Sequence, residues 1–146
     1  MSGLSIREAN DLDLPALHWL YQQLQPEDTT TLAEMEAGFQ AMQTHPDCRV
    51  CVAEWDGVVV GTYVLYLLPN MTRNGRPAAM LENIVVDEVC RGQGIGRVML
   101  EQARSQAQAA GCYKLSLTSN AKRTAAHDFY RKCGMVQHGV SFRYTF

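Results

Sequence analysis

The sequence predicts an α/β domain, a mixed sandwich of strands and helices rather than a regularly alternating parallel sheet. Three observations predict this class: the order of the candidate elements, a turn at Asp56-Gly57 between two β-rich runs, and alternate glycines at Gly92–Gly96 between an apolar strand and an amphipathic helix. The 146 residues suit a single domain, 1–146, and 47% of them are hydrophobic, which is enough to bury a core.

Each candidate element rests on its pattern of apolar residues and on the residues that cap or end it. Asn10 or Asp11 can cap the first helix, and Gly111 and Gly134 are placed to end two later helices. Asp-Gly between two β-rich runs is typical of a tight hairpin turn. In chain order, the predicted elements are a strand at Ser5–Ala9, a helix with its apolar residues at Leu14, Leu17, Leu20, Tyr21 and Leu24, a helix at Thr31–Gln43, strands at Arg49–Trp55, Val58–Leu68 and Ala78–Val86, a helix from Gly94 to Ala110, a strand at Tyr113–Thr118, a helix at Lys122–Cys133, and last β candidates at Met135–Gln137 and Ser141–Phe146.

Charge and cysteine content exclude several classes of protein. With 15 acidic and 13 basic side chains the formal net charge is −2, so we expect neither a nucleic acid nor a membrane as partner. The start of the sequence lacks the pattern of a signal peptide, so we expect the five cysteines to be free thiols in the cytoplasm. Cys48 and Cys51 have a spacing that suits zinc or redox chemistry, but no second pair or histidine cluster follows, and residues three apart in a strand face opposite sides. We therefore expect no metal.

The glycine-rich segment predicts a site for a phosphorylated ligand. Gly92, Gly94 and Gly96 directly precede a predicted helix, whose first N–H groups and positive dipole end attract anions. Glycines let this backbone approach phosphate oxygens, and Arg91 adds a cation with several donors. The glycines do not have the spacing of a dinucleotide fingerprint or of a Walker loop. They are also compatible with a strand-to-helix turn that packs a helix closely.

Two segments resemble the GNAT superfamily of N-acetyltransferases. The stretch from Leu81 to Gly96 is similar to its acetyl-CoA motif, Arg/Gln-x-x-Gly-x-Gly/Ala, which Arg91, Gly94 and Gly96 fill. Ala126–Gly134 is similar to the helix of this family that carries an aromatic-Tyr pair before a glycine. The resemblance covers most of the chain and implies a central mixed, mostly antiparallel sheet with splayed central strands, flanked by helices on both faces. Shorter stretches resemble aminoalkylphosphonate and glucosamine-phosphate acetyltransferases.

The resemblance also implies which residues hold acetyl-CoA. The acyl chain and pantetheine would lie beside a bulged strand, with the N–H group of Val86 donating to the thioester carbonyl. The loop would hold the pyrophosphate, and Asn120 would contact the pantetheine. His127 either faces the cofactor or is structural, and Lys122 with Arg123 either contacts the 3′-phosphate or begins a solvated helix. The implied cofactor residues are Ile84, Val85, Val86, Arg91, Gly92, Gln93, Gly94, Ile95, Gly96, Arg97, Asn120 and His127.

For catalysis, the resemblance implies Glu82 as the base that takes the proton of the amine and Tyr130 as the acid that protonates the departing thiolate. Glu82 can instead be a solvated charge at the end of a strand, and Tyr130 a packing aromatic beside Phe129. The expected protein is a homodimeric N-acetyltransferase that acts on a primary amine of a small molecule. A non-catalytic CoA-binding regulatory module and an acetyltransferase of a protein amine remain alternatives.

Overall fold

A computed structural model describes residues 2–146 of the chain. In these residues, one sheet has the strand order β1-β2-β3-β4-β5, and four α-helices accompany it. Short 3-10 turns occupy Asp11–Asp13, Arg73–Gly75 and Glu88–Cys90. The elements are β1 Leu4–Glu8, α1 Leu14–Leu24, α2 Leu32–Gln43, β2 Cys48–Trp55, β3 Val58–Leu68, β4 Ala78–Val86, α3 Ile95–Ala109, β5 Lys114–Leu117 and α4 Thr124–Lys132.

The sheet is antiparallel from β1 to β4, and the predicted fold class is confirmed. The β2–β3 hairpin turns at Asp56 and Gly57, whose φ angles of 50° and 84° are those of the turn that suits the twist of a hairpin. β5 lies beside β4 in the strand order, and the Tyr113 N–H group donates to the Pro77 carbonyl at 2.9 Å where the two strands begin. The splaying of the central strands stays a prediction.

The chain divides into two compact units, the first ending at Ser116 and the second covering Leu117–Phe146. In the first unit, α1 and α2 pack on one face of the sheet, where Leu17, Phe39 and Val52 belong to one buried cluster. On the other face, the Tyr63 hydroxyl donates to Gln106 of α3 at 2.7 Å. The first unit is therefore a sheet with helices on both faces.

A three-residue ion-pair network fixes the start of α1. Asp13 is buried, and the Arg7 guanidinium donates to both of its carboxylate oxygens at 2.7 and 2.8 Å. Arg7 also donates to Glu54 at 3.0 Å, which ties β1, β2 and the start of α1 together. Asn10 and Asp13 complete a capping box on the 3-10 turn Asp11–Asp13 that leads into α1, so Asn10 caps this turn, whereas α1 itself has Asp13 as its N-cap and no side-chain cap bond.

The second unit contains α4 and a C-terminal segment without assigned helix or strand. No residue of this unit is buried. The β candidates Met135–Gln137 and Ser141–Phe146 are wrong, since no strand is assigned in the described residues after Leu117. Alternating apolar residues define a face that can be buried, but a strand also needs the backbone of a neighbouring strand, which a local pattern does not supply. None of the helices in residues 2–146 combines the length and apolar character needed to cross a bilayer.

Candidate active site

β4 carries a bulge just before the glycine-rich loop. Val64 is paired with Glu82 and Thr62 with Val85, so Asn83 and Ile84 together lie opposite the single residue Tyr63. Asn83 has a φ of 52°, a left-handed conformation that few residues other than glycine adopt. The bulge begins one residue before the segment that the family resemblance implied. An extra residue in one strand interrupts the ladder and changes the direction of the side chains that follow it.

Glu82 is the last residue of β4 before the bulge, and its side chain is exposed. Burial raises the pKa of the Tyr66 phenol, and electrostatic interactions with Cys48 and Glu82 add to this increase. Glu82 therefore lies near Tyr66, which is paired with Cys48 in the sheet. An exposed carboxylate in this position can receive a proton from a molecule that arrives from solvent. It is also compatible with a merely solvated charge.

Hydrogen bonds to two backbone carbonyls, one on β3 and one on β4, hold the loop after β4. The Asp87 N–H group donates to the Val60 carbonyl of β3 at 2.8 Å, and Arg91 Nε donates to the Val86 carbonyl at 3.0 Å. Gly92 and Gly94 have φ angles of 79° and 88°. A Cβ atom on Gly92 would meet no other atom within 4 Å, so conformation rather than close packing requires glycine there.

α3 begins immediately after Gly94 and points its N-terminus into this loop. Ile95 and Met99 are fully buried, which anchors the first turn of the helix in the core. The first N–H groups of any helix have no acceptor within the helix and carry its positive dipole end. The loop and the helix start together therefore form a surface that favours a phosphate group.

A side chain from α1 braces the loop, which the sequence analysis missed. Gln23 accepts a hydrogen bond from the Glu88 N–H group at 2.9 Å and donates to the Asp87 carboxylate at 3.4 Å. Asp87 also accepts from the Val89 N–H group at 3.2 Å. The turn at Asp87 is predictable from local sequence, because an Asp side chain commonly accepts a hydrogen bond from the backbone N–H group two residues later. No sequence pattern near Gln23 predicts its contact with the loop.

The second unit holds Asn120, His127 and Tyr130. His127 Nε2 bonds the Asn120 carbonyl at 2.9 Å, and the Asn120 side chain accepts from the Lys122 N–H group at 2.9 Å. This hydrogen bond supports a structural role for His127. Tyr130 is half-buried beside Phe129, with ring centroids 5.5 Å apart. Burial raises the pKa of the Tyr130 phenol, which keeps it protonated and able to donate.

The predicted site residues thus fall into two sets. The structure places Glu82 and the segment from Ile84 to Arg97 on β4, the loop and the first turn of α3, all in the first unit. It places Asn120, His127 and Tyr130 on the segment before α4 and on α4 itself, in the second unit. Their roles in binding and catalysis stay predictions.

All five cysteines are free thiols. Cys51 is buried, where its sulfur lies 3.7 Å from Gln106 of α3, and Cys48 lies beside Tyr66 on the other face of the sheet. The predicted opposite orientation of Cys48 and Cys51 is confirmed. Burial raises the pKa of both thiols. Within residues 2–146, no group of three or more His, Cys, Asp or Glu side chains is arranged to hold a metal ion.

Comparison with known proteins identifies relatives of this fold. A glucosamine 6-phosphate N-acetyltransferase of Trypanosoma brucei brucei is 35% identical over 87 residues, which are 60% of this chain and 57% of that protein. An aminoalkylphosphonate N-acetyltransferase of Salmonella typhimurium is 32% identical over 74% of this chain and 68% of its own length. A solved structure from Agrobacterium tumefaciens, provisionally assigned as an acetyltransferase, is 40% identical with a TM-score of 0.92 over 97% of this chain and 99% of that one.

The family comparison extends over most of the chain. The acetyltransferase (GNAT) family matches residues 14–135, a range that includes the bulge, the glycine-rich loop and α4. This range also contains both segments on which the resemblance rested. The prediction of an N-acetyltransferase is confirmed, and the chain belongs to the acetyltransferase (GNAT) family.

Proposed function

We propose that this protein transfers an acetyl group from acetyl-CoA to a primary amine of a small molecule, by direct attack within a ternary complex. One observation carries the proposal: a glycine-rich loop and helix start that favour an anion follow a strand whose bulge begins just after an accessible carboxylate, Glu82. A phosphate site next to a proton acceptor is what transfer from a phosphorylated thioester to an amine requires.

The proposed acetyl-CoA site uses the backbone of the first unit. Arg91 to Arg97 and the start of α3 bind the pyrophosphate, and Ile84, Val85 and Val86 contact the pantetheine. Successive N–H groups of a strand point to opposite edges, and the Asp87 N–H group bonds β3. The N–H group of Val86 therefore points away from β3, as does its carbonyl, which Arg91 binds. This supports Val86 as the donor to the thioester carbonyl. Asn120 and His127 are proposed as further contacts of the cofactor.

In the proposed reaction, Glu82 accepts a proton from the ammonium form of the acceptor. The neutral amine then attacks the thioester carbonyl and forms a C–N bond. The N–H group of Val86 stabilises the oxyanion that develops on the carbonyl oxygen. As the C–S bond breaks, Tyr130 donates its proton to the leaving sulfur, and the attacking nitrogen then loses its second proton to the Tyr130 phenolate, which gives the neutral amide and the free thiol of CoA and restores Tyr130.

The names of the relatives support a small acceptor rather than a protein amine. One is named for glucosamine 6-phosphate and the other for aminoalkylphosphonates. The alternative of a non-catalytic CoA-binding module does not explain why both proton-transfer candidates, Glu82 and Tyr130, are present. Free thiols suit the reducing cytoplasm, where we place the reaction.

We also propose a homodimer, supported by the C-terminal segment. Val140, Phe142, Tyr144 and Phe146 alternate along it and are each more than four-fifths exposed. Residues two apart lie on one face of an extended chain, so pairing of this segment with a second copy as a strand would bring these four side chains onto a single apolar face that the second copy covers. In sedimentation experiments, Phe142→Asp should dissociate the dimer and Thr145→Asp, on the opposite face, should not. A monomeric wild-type protein would exclude this assembly.

The proposed reaction is tested by measuring thiol release from acetyl-CoA with a panel of amines and with lysine-containing peptides. We expect turnover with at least one small amine and little with peptides. Preferred turnover of peptides would favour a protein acceptor. Calorimetric binding of CoA without turnover of any amine would favour the non-catalytic module.

A further inference from the structure

A cleft opens in the first unit between α1 and α2, over β2 and the bulge of β4. Its volume is about 280 Å³. Most of its wall is apolar, and Val50 and Asn83 contribute from the sheet. We call it the α1–α2 cleft. Its lining residues are Leu14, Leu17, Tyr21, Leu24, Gln25, Asp28, Thr30, Glu34, Met35, Gly38, Phe39, Met42, Val50 and Asn83.

The α1–α2 cleft lies next to the proposed base, Glu82, within the first unit. Asn83, which lines the cleft, directly follows Glu82 in the bulge. Tyr66 is two residues from Val64 on β3, and Val64 is paired with Glu82, so Tyr66 and Glu82 share the face of the sheet on which α1 and α2 pack. A molecule seated in the cleft can thus extend a short arm toward the proposed base.

The charged residues of the cleft have one sign. Asp28 and Glu34 line it with exposed carboxylates, and no Lys, Arg or His is among its described lining residues. Hydrogen bonds from the side chain of Thr30 and from the backbone of Thr31 lower the pKa of Asp28 and Glu34, respectively, so both stay ionised at neutral pH. An ammonium group is attracted to such a cleft, whereas a phosphate meets two carboxylates and no Lys or Arg among the lining residues. The basic side chain of His18 lies beside the cleft, where its ring bonds the Thr30 carbonyl at 2.9 Å.

The size of the cleft limits the rest of the acceptor. A closed apolar cavity of about 150 Å³ is enough for benzene. The α1–α2 cleft, at about 280 Å³, therefore has room for one ring and a short alkyl chain. Its apolar wall favours a ring without hydroxyl groups, since buried polar groups need partners that this wall does not offer.

We propose that the α1–α2 cleft binds the acceptor, and that the acceptor is a primary amine with a compact apolar body rather than a phosphorylated amine. This inference rests on the proposed function and specifies its substrate class. The acceptor proposed for this chain therefore differs in class from the phosphate- or phosphonate-bearing acceptors that the names of two relatives specify. The apolar body contacts the cleft wall, and Asp28 and Glu34 attract the ammonium before Glu82 takes its proton.

Gly38 allows the cleft to be filled without disturbing the core. It lies in the middle of α2, lines the cleft, and a Cβ atom there would meet no other atom within 4 Å. Gly38→Leu should occupy the space proposed for the apolar body. Gly38→Ala is the matched control, because it makes the same change of helix propensity while leaving most of the cleft open.

The decisive experiment compares phenethylamine with 2-aminoethylphosphonate and glucosamine 6-phosphate by thiol release from acetyl-CoA. For the wild type we expect kcat/KM at least about 10-fold higher with phenethylamine, because it buries apolar surface and avoids repulsion. Gly38→Leu should raise KM for phenethylamine about 10-fold, because the leucine side chain would exclude the apolar carbons of the ligand from the cleft. KM for acetyl-CoA should stay unchanged. Preference for either phosphorylated amine, or a Gly38→Leu enzyme indistinguishable from Gly38→Ala, would overturn the inference.

Failure of the proposed function gives a different result from failure of this inference. If no amine is turned over, binding of phenethylamine is measured directly by calorimetry with CoA present. Binding that Gly38→Leu abolishes and Gly38→Ala retains supports the cleft without catalysis. Absence of binding to the wild type rejects it.

The charge of the cleft is tested by a pair of variants on one helix. Glu34→Gln removes a charge at the cleft and retains the capping box, in which Gln can replace Glu. Glu36→Gln removes the same charge two residues away, at an exposed position outside the cleft. Only Glu34→Gln should raise KM for phenethylamine, about 2- to 3-fold at low salt, and the effect should fade as salt is added. Equal effects of both variants would contradict a local role of the charge.

Discussion

The two compact units differ in what holds them together. The first unit contains all the buried residues, including the fully buried Val52, Tyr63 and Val64 at the centre of the sheet. In the second unit no residue is buried, although its C-terminal segment carries four large apolar side chains, all of them exposed. Burial of apolar side chains therefore stabilises the first unit, whereas the second unit exposes large apolar side chains to solvent.

The residues proposed to bind acetyl-CoA and to transfer protons are also divided between the two units. Glu82 and the loop proposed to bind the pyrophosphate belong to the unit that has a core, where buried side chains fix the strand and helix that carry them. Tyr130 belongs to the unit without one. We expect loss of the Glu82 carboxylate to lower the rate of turnover without lowering the stability of the fold. We expect the effects of substitutions in the second unit to depend on whether a ligand is bound and on whether the protein is dimeric.

The largest expected effect is that of Glu82→Gln on turnover. An alkyl amine with a pKa of about 10.4 is about 0.1% neutral near pH 7.5, so loss of the base should lower kcat/KM by about 10²- to 10³-fold. The defect should shrink as pH rises toward 10, where the amine loses its proton without help. Glu8→Gln, an exposed carboxylate on β1, is the control and should be neutral. A pH-independent defect would assign Glu82 a structural role instead.

The next effect concerns the stability of the first unit. Arg7→Met leaves the buried carboxylate of Asp13 without its cation, and we expect a loss of about 2–3 kcal/mol, less than for a fully buried pair because Arg7 is partly exposed. Both tryptophans, Trp19 and Trp55, lie in the first unit, so their fluorescence during urea unfolding follows that unit.

Arg104→Met makes the same change at an exposed position on α3 and should alter the free energy of unfolding by less than about 0.5 kcal/mol. If the two variants unfold at the same urea concentration, the network contributes nothing to the first unit. The contrast between the units would then rest on apolar burial alone.

A smaller effect is expected from Tyr130→Phe in the second unit. A thiol with a pKa near 8.5 leaves readily as thiolate, so the acid is needed less than the base, and kcat should fall by about 10- to 30-fold. KM for acetyl-CoA should change little, because the ring that packs beside Phe129 is retained. Tyr144→Phe makes the same change on the proposed dimer face, where the exposed aromatic ring is retained, and should have no effect on kcat. A kcat unchanged by Tyr130→Phe would leave Tyr130 as a packing residue.

Features that depend on local pattern were predicted well. The Asp56-Gly57 hairpin follows from two residues that tolerate positive φ, and Thr31, predicted as the first residue of its helix, is the N-cap that precedes it. Gly92 and Gly94 adopt the positive φ that a tight loop before a helix requires. In these cases a few adjacent residues determine the backbone conformation by themselves.

Features that depend on distant partners were not predicted from single residues. The Gln23 brace joins α1 to residues 64 and 65 positions away, and nothing near Gln23 indicates it. The bulge at Asn83 and Ile84 is visible only from the pairing of β4 with β3. The C-terminal β candidates failed for the same reason, since their pattern shows which side chains need cover but supplies no strand beside them.

The smallest expected effect is a pH dependence that distinguishes the first unit. Hydrogen bonds from the Arg7 side chain hold the pKa of Asp13 below its ordinary value. A carboxyl group with a lower pKa in the folded state stabilises the fold above its unfolded pKa of about 3.9, and this contribution is lost as pH falls through the folded value. The difference in free energy of unfolding between wild type and Arg7→Met should therefore be constant from about pH 7 to pH 5 and shrink below about pH 4. Tryptophan fluorescence measures it in the first unit, and a difference that stays constant down to pH 3 would show that Arg7 acts through packing and not through the charge of Asp13.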